Sequence, residues 1–283
     1  MSQHTMTRYE KMQFRFTKFK IKTGLPLNRH DCKRLLDHFL AVHNRDAAFK
    51  AAQTGAFRDD LGDFTVHVRK NSSDMAVIHQ VIIKNQYGPL AALVRQKYRE
   101  EVRTVIDAGA NIGLATLHLK RNFPEAHVIA LEPDEGNYQM LLKNIAANKL
   151  TKVVPLKAGL WRSRKHLRVV HDTGDGREWA FSVEETAVQA SDTVAGYGIA
   201  DLMQDNGWEF IDILKIDIEG AERFVFEEDG AVRAFLSRTR FLAIEIHDQF
   251  VSRAGVYAQL RANGFEYFDS GELTIAFNAA LAK

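Results

Sequence analysis

Val105-Ile106-Asp107-Ala108-Gly109-Ala110-Asn111-Ile112-Gly113 is the stretch on which the fold turns. An apolar run ends in a carboxylate, two glycines frame a tight turn, and the pattern Leu114 to Arg121 has the period of a helix. Strand, glycine turn and helix in that order belong to a parallel α/β sheet. In such sheets ligands gather at the carboxyl ends of the strands. Outward from this stretch, apolar runs recur at Val128-Ile129-Ala130-Leu131, Val153-Val154-Pro155-Leu156, Ile211-Asp212-Ile213-Leu214 and Phe241-Leu242-Ala243-Ile244. Amphipathic segments such as Tyr138 to Ile145 separate several of them. Buried parallel strands with covering helices read this way, so the expectation is an α/β doubly wound sheet. Phe265 to Phe268 and Leu273 to Phe277 flank Asp269-Ser270-Gly271-Glu272 and predict a closing antiparallel hairpin.

The chain has 283 residues, 46% hydrophobic and 26% charged, the balance of a folded globular protein. Thirty-eight basic against 36 acidic residues leave a formal charge of +2, which gives no general argument for nucleic acid. The one cysteine, Cys32, excludes an internal disulfide framework and a thiolate metal cluster. No apolar run reaches the ~20 residues of a membrane span, and Met1-Ser2-Gln3-His4 does not open a secretory signal. A cytoplasmic protein is the expectation. Residues 1–60 form an extension and residues 61–283 the body. In the extension, Arg8, Lys11, Arg15, Lys18, Lys20 and Lys22 interleave with Phe14, Phe16, Phe19 and Ile21, before a helical pattern through Leu35, Leu36, Phe39, Leu40 and His43. A half-buried strand is the favoured reading of the basic stretch, with an RNA- or lipid-contacting arm as its rival.

The glycine turn reads G-x-x-x-G, with Asn111 where a dinucleotide fingerprint has its middle glycine. The close backbone approach that a pyrophosphate uses is therefore weakened. Asp107 at the strand end also suits a cation better than a diphosphate. S-adenosylmethionine carries an ammonium and a sulfonium and no phosphate. Nineteen residues after Gly113, Leu131-Glu132-Pro133 closes the next strand, placing Glu132 where an acidic residue accepts hydrogen bonds from ribose hydroxyls. Asp134 precedes the following helix, and Asn137 is a candidate capping contributor. Turn and cap roles for Asp107 and Glu132 are the plainer alternative.

In Ile211 to Glu222, Leu214, Ile216 and Ile218 alternate with Lys215, Asp217 and Glu219, and the next run alternates Leu242, Ile244 and Ile246 with Glu245 and His247. If the two strands are neighbours, their ends bring Asp217, Glu219, Glu245 and His247 beside the glycine turn. Asp217, Glu219 and His247 are the candidate catalytic residues, set to take a proton from an acceptor hydroxyl. The plainer alternatives are that Glu219 or Glu222 caps a helix, that Lys215 pairs with Glu245, and that His247 is a satisfied polar residue. Carboxylates with a histidine could also hold a divalent metal that acidifies the hydroxyl, although no compact ligand spacing calls for one. Thr173 to Ser182, with Gly174, Gly176 and Trp179, reads either as a substrate loop or as a surface hairpin.

At these residues the chain resembles the FkbM family of S-adenosylmethionine-dependent methyltransferases. The resemblance covers roughly Phe64 to His247 and rests on Asp107 to Gly113, Glu132-Pro133 with Asn137, Leu214 to Glu222, and Glu245-Ile246-His247. Arg69, Ser72-Ser73-Asp74 and Tyr87 are similar to the family's lead-in segment, which would close over the site. The resemblance implies a Rossmann-like, seven-stranded class I methyltransferase fold with a terminal antiparallel hairpin. It also implies O-methylation of a sugar, polyketide or other small metabolite. By matching positions, Asp107, Gly109, Ala110, Asn111 and Gly113 would surround the methionine part, with Glu132, Pro133 and Asn137 at the ribose. Ala158-Gly159-Leu160 would lie near the adenine without an acidic or amide side chain. Three rivals stay open: an NAD-dependent oxidoreductase, a nucleic-acid methyltransferase using the basic arm, and a catalytically idle cofactor-binding protein. Self-association to a homo-oligomer is also left open.

Overall fold

In the computed structural model, residues 27–28, 54–59, 62–69, 72–171, 181–186 and 193–282 are described. The basic stretch and the helical pattern before residue 61, and residues 173–180 of the glycine-rich segment, lie outside them.

Seven strands make the main sheet: β4 (Thr104–Ala108), β5 (His127–Leu131), β6 (Val153–Leu156), β11 (Ile211–Ile216), β12 (Thr239–Glu245), β13 (Phe265–Ser270) and β14 (Leu273–Asn278). Their spatial order is β13-β14-β12-β11-β4-β5-β6. From β12 through β6 neighbours run parallel, while β14 is antiparallel to both β12 and β13. This is the expected sheet with its terminal hairpin. The alternation of side chains explains the two cores. Val105, Val128, Ile213, Phe241 and Ala243 pack on one face, and Ile106, Ile129, Leu214, Leu242 and Ile244 on the other. The first face is covered by α1 (Asp74–Ile78), a π-helical turn (His79–Ile83), α2 (Gly88–Lys97) and α3 (Leu114–Asn122). The second is covered by α5 (Ile199–Asp205), α6 (Glu222–Val225), α7 (Asp229–Leu236) and α8 (Arg253–Ala262).

α4 (Glu135–Ala147) follows β5. Its N-cap is Asp134, whose side chain accepts from the Asn137 N–H at 2.8 Å, so Asp134 rather than Asn137 supplies the cap. Before the main sheet, β2 (Thr54–Asp59) pairs antiparallel with β3 (Gly62–His67) and parallel with β1 (Leu27–Asn28). Asn144 and Asn148 of the α4 end exchange hydrogen bonds with the backbone of His67 and Thr65, docking β3 on the body. A second sheet, in the order β7-β10-β8-β9, contains β7 (Ala158–Leu160), β8 (Lys165–His171), β9 (Phe181–Thr186) and β10 (Thr193–Tyr197). Among the described residues, no helix is long and apolar enough to cross a membrane.

Candidate active site

The chain leaves β4 to build β5 and β6 on one side, then returns to lay β11 and β12 on the other. The carboxyl ends of β4 and β11 therefore diverge at a switch point, where an open α/β sheet forms a crevice. A cavity of about 530 Å³ occupies it.

The glycine turn is one wall. Gly109 has φ +77°, and a Cβ there would lie 1.7 Å from the Asp217 carbonyl oxygen, so β11 can approach β4 only past a glycine. Asn111 also takes a left-handed conformation, φ 51°, and its N–H donates to Glu132 Oε2 at 2.7 Å. Glu132 Oε1 accepts from the Asp134 N–H at 3.0 Å and lies 3.5 Å from Asn137 Nδ2. Burial raises the Glu132 carboxyl to about 7, with its backbone hydrogen bonds opposing the rise. Arg69 donates to Asn137 Oδ1 at 2.6 Å and pairs with the fully buried Asp74 at 2.7 Å. The lead-in segment is thereby tied to the Glu132 corner.

Gly109, Ala110, Asn111, Glu132, Pro133, Asn137 and Ala158 line the cavity. Asp107 and Gly113 do not: Asp107 lies beneath the turn, and Gly113 closes it as the N-cap of α3. Asp107 is fully buried, accepts from the Thr116 hydroxyl at 2.6 Å and pairs with Lys215 at 3.2 Å. The expected partner of Lys215 was Glu245. The register sets Lys215 against Asp107 instead, because β11 borders β4 on the side where these two residues are opposite. Lys215 also donates to the carbonyls of Ala108 (3.0 Å) and Gly109 (2.5 Å), so one buried ammonium pins the turn from below. Burial works against that charge, and Tyr87, Asp107 and Asp217 outweigh it, holding Lys215 above its ordinary value.

The opposite wall carries the acids. Asp217, Glu219, Glu245 and His247 line it, joined by Gln80 and Glu272, whose side chains hydrogen-bond at 2.8 Å. Glu219 is not a helix cap. It has φ 53° and reaches His247 Nε2 at 3.3 Å, while Glu222 Oε1 accepts the Ile218 N–H at 3.0 Å and lies 3.1 Å from His247 Nδ1. Burial alone would lower the His247 value, but its hydrogen bonds to Glu219 and Glu222, with their charges, raise it to about 11. Burial also raises Asp217 to about 6, against the pull of Lys215. Asp217, Glu219 and His247 each bring one polar atom within 4.8 Å of the others. In this arrangement the Nδ1 edge of His247 faces Glu222 and its Nε2 edge faces Glu219.

Sequence spacing brought Asp217, Glu219 and His247 together and left Glu222 between a cap and a catalytic role, whereas Glu222 is buried beneath His247; the wall formed by His79, Gln80 and Lys84 was missed. Glu222 carried a signal in its position one turn from Ile218. The π-helical turn carried none, because its residues have no amphipathic period.

The model of the methyltransferase FkbM domain matches residues 107–267. Among curated proteins, the methyltransferase sdnD of Sordaria araneosa is 30% identical over 192 residues, covering 57% of this chain and 73% of that protein. Methyltransferase 1 of Beauveria bassiana is 26% identical over 179 residues, covering 56% and 70%. Among solved structures, the human methyltransferase 10 domain containing protein is 15% identical, covers 70% of this chain and 83% of that one, and has a TM-score of 0.39.

Proposed function

This chain belongs to the FkbM methyltransferase family, and on that premise we propose that it is a cytoplasmic enzyme that methylates a hydroxyl oxygen of a sugar, polyketide or other small metabolite, using S-adenosylmethionine. The observation that carries the choice of cofactor is the charge of the cavity. Glu132, Asp217, Glu219, Glu245 and Glu272 line it, and of its two lysines, Lys84 and Lys215, the second is already paired with Asp107. Such walls oppose a pyrophosphate and favour a cationic ligand. When bound, S-adenosylmethionine supplies an electrophilic methyl group on its sulfonium.

The residues divide between two ends. Gly109, Ala110 and Asn111 would let the methionine part approach the backbone, with Asp107 shaping the turn from beneath and Gly113 closing it. Glu132, with Pro133 and Asn137 beside it, would accept the ribose hydroxyls. Ala158 would lie against the adenine, whose recognition falls to backbone groups of β7. Asp217, Glu219 and His247 would face the acceptor and orient its oxygen for transfer.

Titration calorimetry tests the cofactor. S-adenosylmethionine should bind the wild-type chain, and NAD should not. Glu132→Ala should weaken binding by about 10- to 100-fold, the loss of hydrogen bonds to a charged acceptor. Unchanged affinity in that variant, or stabilisation by NAD alone, would remove the assignment. Incubation with methyl-labelled cofactor and a metabolite extract then identifies the acceptor by the labelled product.

A further inference from the structure

When a hydroxyl oxygen is methylated, its proton must leave. Resting on the methyltransfer reading above, we propose that Glu245 takes this proton, and that His247, held in place by Glu222, is a fixed cation beside it rather than the base. The acceptor oxygen forms its bond to the methyl carbon as the carbon–sulfur bond breaks and sulfur keeps the electron pair. The hydroxyl proton passes to the Glu245 carboxylate and from there to solvent.

The geometry of His247 motivates this division. Its Nδ1 lies 3.1 Å from Glu222 Oε1, its Nε2 3.3 Å from Glu219 Oε2, and Glu222 has no exposed surface. An imidazole between two carboxylates satisfies both only by donating from both nitrogens, which leaves no lone pair for an acceptor proton. A carboxylate also fixes the ring: with Glu222 anchored by the Ile218 N–H, the Nε2 edge faces the cavity.

Glu245 stands differently. It ends β12, lines the cavity, and its Oε2 is buried without a hydrogen-bond partner; its Oε1 lies 4.0 Å from His247 Nε2. Asp217, another carboxylate at this end, has the Lys215 ammonium 3.9 Å away, a fixed cation that favours its charged form. The groups around Glu245 come from three places. Asp217 and Glu219 follow β11, His247 follows β12, and Glu272 sits in the turn of the β13–β14 hairpin. Burial and then the charge of Asp217 raise Glu245 to about 8, while His247 pulls it down. A base near neutrality combines basicity with a useful ionised fraction. His247 lowers the Glu245 value and so enlarges its ionised fraction, which is the work of a positioning residue.

The test uses the full chain with carbon-13 at the glutamate carboxyls and nitrogen-15 in histidine, with S-adenosylhomocysteine bound. The resonance missing in Glu245→Gln identifies Glu245. Its midpoint should fall well above the ~4.3 of a free glutamate, and His247 should keep imidazolium shifts to at least about pH 9. Glu222→Gln should lower the His247 midpoint by about one unit or more and move that of Glu245 upward. With methyl-labelled S-adenosylmethionine and the acceptor that it identifies, Glu245→Gln should lower kcat by about 10²- to 10⁴-fold, a far larger change than that in S-adenosylmethionine affinity. A neutral His247 at pH 7, or full turnover in Glu245→Gln, overturns the assignment. Calorimetry on the same preparations separates the two levels: absent cofactor binding defeats the methyltransfer reading, whereas intact binding with normal turnover in Glu245→Gln defeats only the role of Glu245.

Discussion

Gly109 and Lys215 act on the same turn from opposite sides. Gly109 lets the Asp217 carbonyl come close, and Lys215 holds the carbonyls of Ala108 and Gly109 in place. Gly109→Ala is expected to force β4 and β11 apart, because a Cβ 1.7 Å from a backbone oxygen has no rotamer to escape into. Calorimetry should find no cofactor binding, and the denaturant midpoint should report a loss of about 3 kcal/mol. Lys215→Met leaves Asp107 buried without its cation. The expected cost is about 3–5 kcal/mol, the penalty of breaking a buried pair. Adding Asp107→Asn should recover part of that loss, and full additivity of the two substitutions in urea unfolding would contradict the pairing.

At the scale of elements, β11 is the member on which the site depends, since it borders β4 and β12 at once. Its start is clamped by Asp212, which accepts from the N–H groups of Arg103 (2.6 Å) and Thr104 (3.0 Å) and pairs with Arg240 of β12 (2.8 Å). These contacts sit at the opposite end of the strand from the cavity. Asp212→Ala should therefore destabilise the fold by about 3 kcal/mol without changing cofactor affinity more than about twofold. Thermal unfolding and calorimetry measure the two separately. The strands of the sheet were legible in the sequence because each alternates between two apolar faces, and the hairpin because Asp269-Ser270-Gly271-Glu272 breaks the pattern at the right length. The segment from Asp74 to Ile83 was indicated over the site only by the family resemblance and not by its pattern, since a short helix followed by a π-helical turn has no sustained period.

For the whole molecule, the near-neutral charge conceals a cavity whose carboxyl groups are held in proximity and poorly hydrated. Burial raises Asp217 to about 6, Glu132 to about 7 and Glu245 to about 8. A group whose folded value is raised contributes stability fully below its unfolded value and loses it as pH rises through the folded one. These three contributions are therefore complete near pH 4 and are lost across the range from about 5 to 8. His247, raised to about 11, follows the same sign at higher pH. The unliganded chain should lose a few degrees of Tm between about pH 5 and 8 on account of the cavity, and Glu245→Gln should flatten the upper part of the decline. A cationic cofactor favours the ionised carboxyls, so its stabilising effect should grow over the same range. Scanning calorimetry with and without S-adenosylmethionine decides it, and a Tm gain that shrinks toward pH 8 would contradict the electrostatic account.

The sequence by itself determined the chain order of the main-sheet strands, the glycine turn after β4, the acid at the end of β5 and the closing hairpin. Each of these follows from local sterics and from the periods of two and 3.6 that a buried face imposes. It also placed Asp217, Glu219, Glu245 and His247 at one end of the sheet, because alternation assigns faces and strand ends. Only the tertiary structure decided which charge meets which: Lys215 with Asp107 rather than Glu245, and His247 between Glu219 and Glu222. The physical reason is one of range. Apolar burial tolerates any neighbour of suitable size. The energy of a buried ion pair instead depends on separation and hydration at the scale of an ångström. That scale is set by the register of β11 between β4 and β12, which no period in the chain encodes.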